Sequence, residues 1–142
     1  MVTEAMRRRS LPAVLLTWRV VGAGLTAAMG WIHLYLWANG YSDTPTIGVL
    51  FLLNGIGAAV LTIALLGSPA RLLEVVSGLA ALFTAGALAA LIGSLTVGIF
   101  GFWKYLGDPY VVVSLVVESA GVVVLAGLAA TSRAASPVVF HR

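Results

Sequence analysis

The chain has 142 residues, of which 61% are hydrophobic and only 9% are charged, and its formal net charge is +3. A soluble domain usually carries about a quarter charged residues, so this composition excludes an ordinary soluble domain and requires apolar side chains to face lipid. With no cysteine and two histidines, thiol chemistry, disulfides and a His-rich metal site are excluded. We also predict no nucleic-acid partner, because no basic face with interleaved aromatic residues is present.

Four apolar segments follow one another along the chain, at about residues 14–37, 47–66, 72–97 and 111–130. Each has about the 20 residues that an α-helix needs to span the hydrocarbon core of a bilayer. They predict an all-α fold, a four-helix transmembrane bundle that occupies residues 1–142 as one membrane domain, with tails at 1–12 and 132–142. The connections are short, so consecutive helices should be antiparallel neighbours.

Prolines and capping residues mark where helices should begin. Three prolines each follow a residue that can cap a helix N-terminus, in the pairs Thr44-Pro45, Ser68-Pro69 and Asp108-Pro109. Because proline is tolerated at the first helical position, the pairs predict three capped helix starts. No proline is expected inside a span. The aromatic-rich segment 98–110 is predicted to rest at the membrane interface as a loop or short helix.

The basic residues lie mostly on one side of the predicted bundle. Six of them fall in the N-terminal tail, the second connection and the C-terminal tail, whereas Lys104 stands alone on the opposite side. By the positive-inside rule, both termini should be cytoplasmic, in a cell (plasma or inner) membrane. A cleaved signal peptide after Arg7–Arg9 is the rival interpretation. It fits less well, because Arg19 interrupts the apolar run and the run is too long.

Four polar side chains fall inside the predicted spans: Arg19, His33, Asn54 and Glu118. Ionisable groups at the centre of a bilayer cost roughly 2.5–3.5 kcal/mol on insertion scales, so each one needs a physical reason. Arg19 is about 7 Å from the cytoplasmic end of the first helix, from which its side chain can reach the headgroups. Glu74 is expected near the same interface, where it could pair with Arg19 or Arg71.

Glu118 is about 12 Å deep in the fourth helix, too deep to reach the surface. It is expected to be neutral and hydrogen-bonded, or paired, or exposed to a wet cavity. His33 and Asn54 fall within about 6 Å of the same level, so Glu118, His33 and Asn54 form a predicted buried polar cluster. Two interpretations stay open. The cluster either holds the helices together through hydrogen bonds, or is a titratable site that binds a quinone headgroup or polar substrate or relays a proton.

Small residues at helical spacing predict close helix packing. Gly86 and Ala90 are four residues apart on the third helix, and Gly22 and Gly30 share a face of the first. Such stripes let backbones approach closely, within the bundle or against a protein partner or a second copy of the chain.

A family resemblance rests on three features: the segments Gly30–Leu34 and Gly48–Asn54, and the aromatic loop that follows the first helix. The chain resembles the small four-helix bacterial membrane proteins grouped as DoxX-like, as found in actinobacteria. The resemblance implies a four-helix membrane fold over the whole chain and, for some such proteins, a quinone-linked redox role as a membrane subunit.

The leading functional interpretation is a non-enzymatic accessory or interaction subunit of a larger membrane complex. It rests on the absence of a catalytic motif and of room for a soluble domain, and it predicts no catalytic residues, no resident cofactor and no metal. The alternative is a quinone-linked redox subunit, or a proton-coupled protein that binds or transports small molecules, centred on Glu118, His33 and Asn54. A closed, dry bundle would favour the first, and a polar cavity that opens at Glu118 the second.

Overall fold

The structure, a computed structural model, describes residues 2–135, with side chains from residue 13 onward. It has four helices: α1 (Val2–Leu36), α2 (Ile47–Gly67), α3 (Ala70–Thr96) and α4 (Pro109–Ala135). All four contain a stretch long and apolar enough to cross a membrane. The chain is therefore a multi-pass membrane protein, and the predicted all-α four-helix bundle is confirmed.

The helices extend beyond the predicted spans at both ends of the chain. α1 begins at Val2, so residues predicted to form an N-terminal tail are helical and Pro12 lies within the helix. After α1 the chain continues through a π-helical turn, Trp37–Tyr41, in which the backbone leaves helical geometry at Gly40 (φ 154°). α4 continues to Ala135, and the rest of the predicted C-terminal tail lies outside the described residues.

Of the three predicted caps, one is present. The carboxylate of Asp108 accepts a hydrogen bond from the backbone N–H of Tyr110 over 2.9 Å, at the start of α4. The prediction is wrong for Thr44, because the chain first makes a tight turn in which the Thr44 carbonyl accepts from the N–H of Gly48 (2.8 Å). It is also wrong for Ser68, which ends α2 in an extended conformation, while no side chain caps the start of α3.

The four helices do not pack equally against one another. α1 packs on both α2 and α4, and α3 packs mainly on α4. α2 and α3 follow each other in the chain but meet only over a short stretch, where Gly57 lies against Phe83. The order around the bundle is therefore α2, α1, α4 and α3, with a loose seam between α2 and α3.

Two of the predicted packing glycines lie at tight helix crossings. A Cβ at Gly30 would stand 2.7 Å from the Cβ of Ala58 on α2, and one at Gly22 would stand 2.9 Å from a leucine side chain of α4. Gly86 and Ala90 do not pack in this way. Both are exposed, and a Cβ at Gly86 would meet no atom within 4 Å. The small stripe of α3 faces the loose seam, because α3 leans on α4 instead of α2.

The bundle is filled at one end and hollow at the other. The end that holds the chain termini and the α2–α3 connection, the termini end, has a packed core of six buried residues: Ala23, Leu65, Leu73, Ala80, Leu125 and Leu128. The opposite end holds the segments 37–46 and 97–108 and is called the loop end below. There the helices enclose a cavity instead of a core.

Arg19 was expected to reach the headgroups, but in the structure its side chain binds the C-terminal end of α2. Its guanidinium donates hydrogen bonds of 2.5–2.7 Å to three backbone carbonyls at the C-terminus of α2, those of Leu65, Leu66 and Ser68. The last carbonyls of a helix lack intrahelical partners, and a cation is favoured beside them. Arg19 is therefore a cap for α2. Glu74, expected near it, lies 3.8 Å from Arg133 instead.

Candidate functional site

A cavity of about 430 Å³ occupies the loop end of the bundle. All four helices and the segment 97–108 contribute to its wall, which is largely apolar. Seven of the residues that line it have hydrogen-bonding or ionisable side chains: His33, Asn54, Ser94, Lys104, Tyr110, Ser114 and Glu118. An apolar cleft of roughly 300–1,000 Å³ with a few polar groups is typical of sites that bind small molecules.

The cavity opens sideways, at the seam between α2 and α3. Leu53 on α2 and Leu82 on α3 both line it, and their exposed fractions are 57% and 72%. Gly86 and Ala90 line it as well and are also exposed. Leu53 is about 9 Å below the start of α2 by helical rise, which places the opening at the depth of lipid chains. The opening therefore lies on the apolar side of the bundle, between two helices that are each long enough to cross a membrane.

The segment 97–108 folds back over the loop end of the cavity. Ile99 and Phe102 exchange two backbone hydrogen bonds of 2.9 and 2.8 Å, and the turn between them places Phe100 and Gly101 at φ 51° and 76°. Two consecutive residues with positive φ give the tight turn that reverses the chain. The backbone N–H of Lys104 then donates to the carbonyl of Ser94 on α3 (3.0 Å), which fixes the segment to the bundle.

Lys104 belongs to this segment, but it is buried and only 7% exposed. Its ammonium donates to the hydroxyl of Tyr41 and to the carboxylate of Asp108, both over 2.6 Å, and stands 4.8 Å from the centre of the Tyr41 ring. Burial acts to lower the pKa of Lys104, but the hydrogen bonds to Asp108 and Tyr41 outweigh it and raise that pKa. The hydrogen bond from Lys104 lowers the pKa of Asp108. The two groups therefore form a charged pair at neutral pH.

Glu118 is the most buried ionisable residue in the cavity wall, with 1% of its surface exposed. Its Oε1 lies 4.0 Å from Nε2 of His33, beyond hydrogen-bond range. Its Oε2, like Oδ1 of Asn54, is buried and has no hydrogen-bond partner among the described residues. A buried polar atom without a partner costs about 1–3 kcal/mol. The wall thus holds unmet hydrogen-bonding capacity, and rotation of the carboxyl can present either oxygen.

His33 is held in one orientation beside Glu118. Its Nδ1 lies 2.9 Å from the carbonyl oxygen of Met29, and since a carbonyl only accepts, Nδ1 carries the proton. Nε2 of the neutral ring is then an acceptor that points toward Glu118. The ring of His33 lies against Phe51 (5.1 Å between centres), which stacks on Tyr41 (5.0 Å). This row of aromatic rings connects Lys104 to the part of the cavity wall that holds His33, Asn54 and Glu118, called the polar end of the cavity below.

The structure therefore brings Glu118 and His33 together and places Asn54 in the same wall. No side-chain hydrogen bond links the three among the described residues; the contact between them is the 4.0 Å approach of His33 Nε2 to Glu118 Oε1. Lys104 and the lateral opening were not foreseen. The one available signal was the Lys104–Asp108 spacing of four residues in an otherwise uncharged aromatic segment.

Comparison of the chain with protein-family models, with curated proteins and with solved structures finds no match. The resemblance to DoxX-like proteins therefore stays a prediction. Within residues 2–135 no three His, Asp or Glu side chains lie close enough together to hold a metal ion. The fold and the site define a class: a small multi-pass membrane protein with a largely apolar cavity that opens at the seam between α2 and α3.

Proposed function

We propose that this chain is a membrane-embedded binding protein for a small amphipathic molecule that it takes up from the bilayer. The observation that carries the proposal is the cavity of about 430 Å³ that opens between α2 and α3 and contains the unpaired carboxyl of Glu118. This favours the small-molecule interpretation over the accessory subunit. The same geometry suits a carrier that holds the molecule or a transporter that moves it.

The ligand would place its polar head inside the cavity and leave its apolar part at the seam. The cavity equals the volume of roughly 14 water molecules, which suits a headgroup the size of one substituted ring. Inside, the head would meet Asn54 and Glu118, whose unpaired oxygens gain from any hydrogen bond that it donates. The quinone head that the family resemblance implies would not donate such a bond, because quinone oxygens only accept. The Lys104 contacts close the loop end, so exchange with water is slower than exchange with lipid.

The proposed location is the plasma membrane of a bacterium, with both termini in the cytoplasm and the segment 97–108 outside. Support comes from the sequence, in which six Lys and Arg fall in the two predicted tails and the α2–α3 connection, whereas Lys104 stands alone in the segment 97–108.

An accessory subunit is the second candidate. The observation in its favour is the exposed pair Gly86 and Ala90 beside the opening, since small residues let the helix of a partner, or of a second copy, approach closely. A helix seated there would also cover the cavity. Cross-linking from Ala90→Cys to a neighbouring helix in native membranes would support this role.

Accessibility of a single thiol tests the binding proposal. The chain has no cysteine, so Ser114→Cys places one thiol in the cavity wall. Ser77→Cys, at a residue 0% exposed in the packed half, is the buried control, and Val112→Cys, at a residue 49% exposed on α4, is the lipid-facing control. In lipid nanodiscs, N-phenylmaleimide should modify the Ser114 and Val112 variants at similar rates and spare the Ser77 variant.

A charged, bilayer-impermeant methanethiosulfonate should fail to reach Ser114→Cys from either aqueous side. If the Ser114 variant resists the maleimide as the Ser77 variant does, while the Val112 variant reacts, the cavity is closed to lipid and the proposal fails.

A further inference from the structure

When the Glu118 carboxyl is ionised, hydrogen-bond acceptors outnumber donors around it. Both carboxylate oxygens of Glu118, Oδ1 of Asn54 and Nε2 of His33 can accept a hydrogen bond, and Oε2 and Oδ1 have no partner among the described residues. Against them stand the amide NH₂ of Asn54 and the hydroxyl of Ser114. A ligand that satisfies this end of the cavity must therefore bring N–H or O–H groups.

Glu118 is also the one acidic residue that lines the cavity. It has no charged partner among the described residues. The titratable groups that share the cavity with it are His33 from α1, Lys104 from the segment 97–108 and Tyr110 from α4, while α2 and α3 contribute none. Lys104 is paired with Asp108 at 2.6 Å. A carboxylate buried without a partner is costly, so Glu118 holds a proton when no cation is bound to it. A cation can replace that proton.

The alternative to a cationic ligand at Glu118 is an anionic headgroup that pairs with Lys104. Its ammonium, however, already has the Asp108 carboxylate and the Tyr41 hydroxyl as partners, each at 2.6 Å. Glu118 has no hydrogen-bond partner for Oε2. The hydrogen-bonding group that lacks a partner is therefore the Glu118 carboxyl and not the Lys104 ammonium. A quinone, whose oxygens only accept, likewise leaves Oδ1 of Asn54 without a partner.

We infer that the ligand of this cavity is a lipophilic organic cation with N–H donors, such as a primary amine, which pairs with the Glu118 carboxylate. This inference rests on the proposed function and names the class of ligand. Binding of the ammonium releases the proton of the Glu118 carboxylic acid to water, so the two cations exchange one for one. Apparent affinity should then rise by up to tenfold per pH unit while Glu118 is mostly protonated.

Three probes with the same chain and different headgroups test the inference: decylamine, decanol and decanoate. Each is titrated into nanodiscs that hold the Ser114→Cys protein, and protection of the thiol from N-phenylmaleimide is measured against Val112→Cys at every pH. Decylamine should protect at concentrations at least tenfold lower than either other probe. Its advantage should grow as the pH is raised, over the range in which an alkylamine with a pKa near that of lysine stays protonated.

Glu118→Gln, which keeps the shape of the side chain, should abolish both the amine preference and its pH dependence, and should leave protection by decanol unchanged. His33→Gln should keep the pH dependence, which separates the two titrating groups. Continued resistance of Ser77→Cys in the Glu118→Gln background shows that the variant is folded.

Equal or stronger protection by decanol or decanoate overturns the inference, as does an amine preference that survives Glu118→Gln. Protection by none of the three also overturns it. In each of these cases, maleimide reaction at Ser114→Cys still supports the proposed function, whereas its absence removes both.

Discussion

Replacing Glu118 by leucine should make the bundle more stable and abolish ligand binding. Glu118 is 1% exposed, yet its carboxyl makes no hydrogen bond among the described residues, and the nearest basic nitrogen is 4.0 Å away. A buried polar group without a partner costs about 1–3 kcal/mol, and an apolar side chain of similar size removes that cost. We therefore expect Glu118→Leu to raise the free energy of unfolding by about 1–3 kcal/mol.

The assay is reversible unfolding in mixed micelles, followed by the helical circular dichroism signal. Glu118→Gln should change stability by less than about 1 kcal/mol, since the amide keeps the shape and one acceptor. Leu125→Ala, at a residue that is 0% exposed in the packed half, should lose about 2–5 kcal/mol and shows that the assay detects core damage. A loss of 1 kcal/mol or more in Glu118→Leu would refute the reasoning, because the carboxyl would then have a structural partner.

Other predictions follow from the packing and the charges. Gly30→Ala should lower stability by up to about 2 kcal/mol, as crowding at the α1–α2 crossing exceeds the gain in helix propensity, whereas Gly86→Ala should be neutral or stabilising by up to about 1 kcal/mol in the same unfolding assay. Equal effects would contradict the two packing environments. Arg19→Gln should cost about 1.5–3 kcal/mol by uncapping α2, and an unchanged unfolding curve would show that the carbonyls find other partners. The lowered pKa of Asp108 means that its pairing with Lys104 stabilises above about pH 4 and is lost as pH falls through the lowered value, while the raised pKa of Lys104 keeps its contribution up to about pH 10. Tryptophan fluorescence of the segment 97–108 should therefore be constant from about pH 5 to 9 and change below about pH 4, and a transition near pH 7 would contradict the pair.

Helix spans and depths could be predicted from the sequence because they depend on length and rise alone. The level shared by Glu118 and His33 is a consequence of helical rise along α4 and α1, and it does not require knowing how the helices lean. Gly22 and Gly30 lie against α4 and α2, on a face of α1 where the sequence alternates small and polar residues at helical spacing.

The loose seam could not be predicted, because spacing within a helix says which residues share a face but not which helix that face meets. Gly86 and Ala90 share a face of small residues in either arrangement, and only the packing of α3 on α4 turns that face to the cavity. Lys104 was missed for a similar reason. Its hydrogen bond to Tyr41 joins residues 63 positions apart, and it depends on the chain reversal at Phe100 and Gly101.

The central claim is that molecules from the bilayer reach the polar end of the cavity, and nuclear Overhauser effects test it most directly. Perdeuterated protein with protonated amides, in nanodiscs of protonated lipid, would report which amides lie near acyl chains. We predict cross-peaks from acyl-chain protons to the side-chain amide of Asn54, comparable to those at the lipid-facing backbone amide of Val112 and absent at the core residue Ala80. Cross-peaks at Val112 with none at Asn54 would contradict the claim.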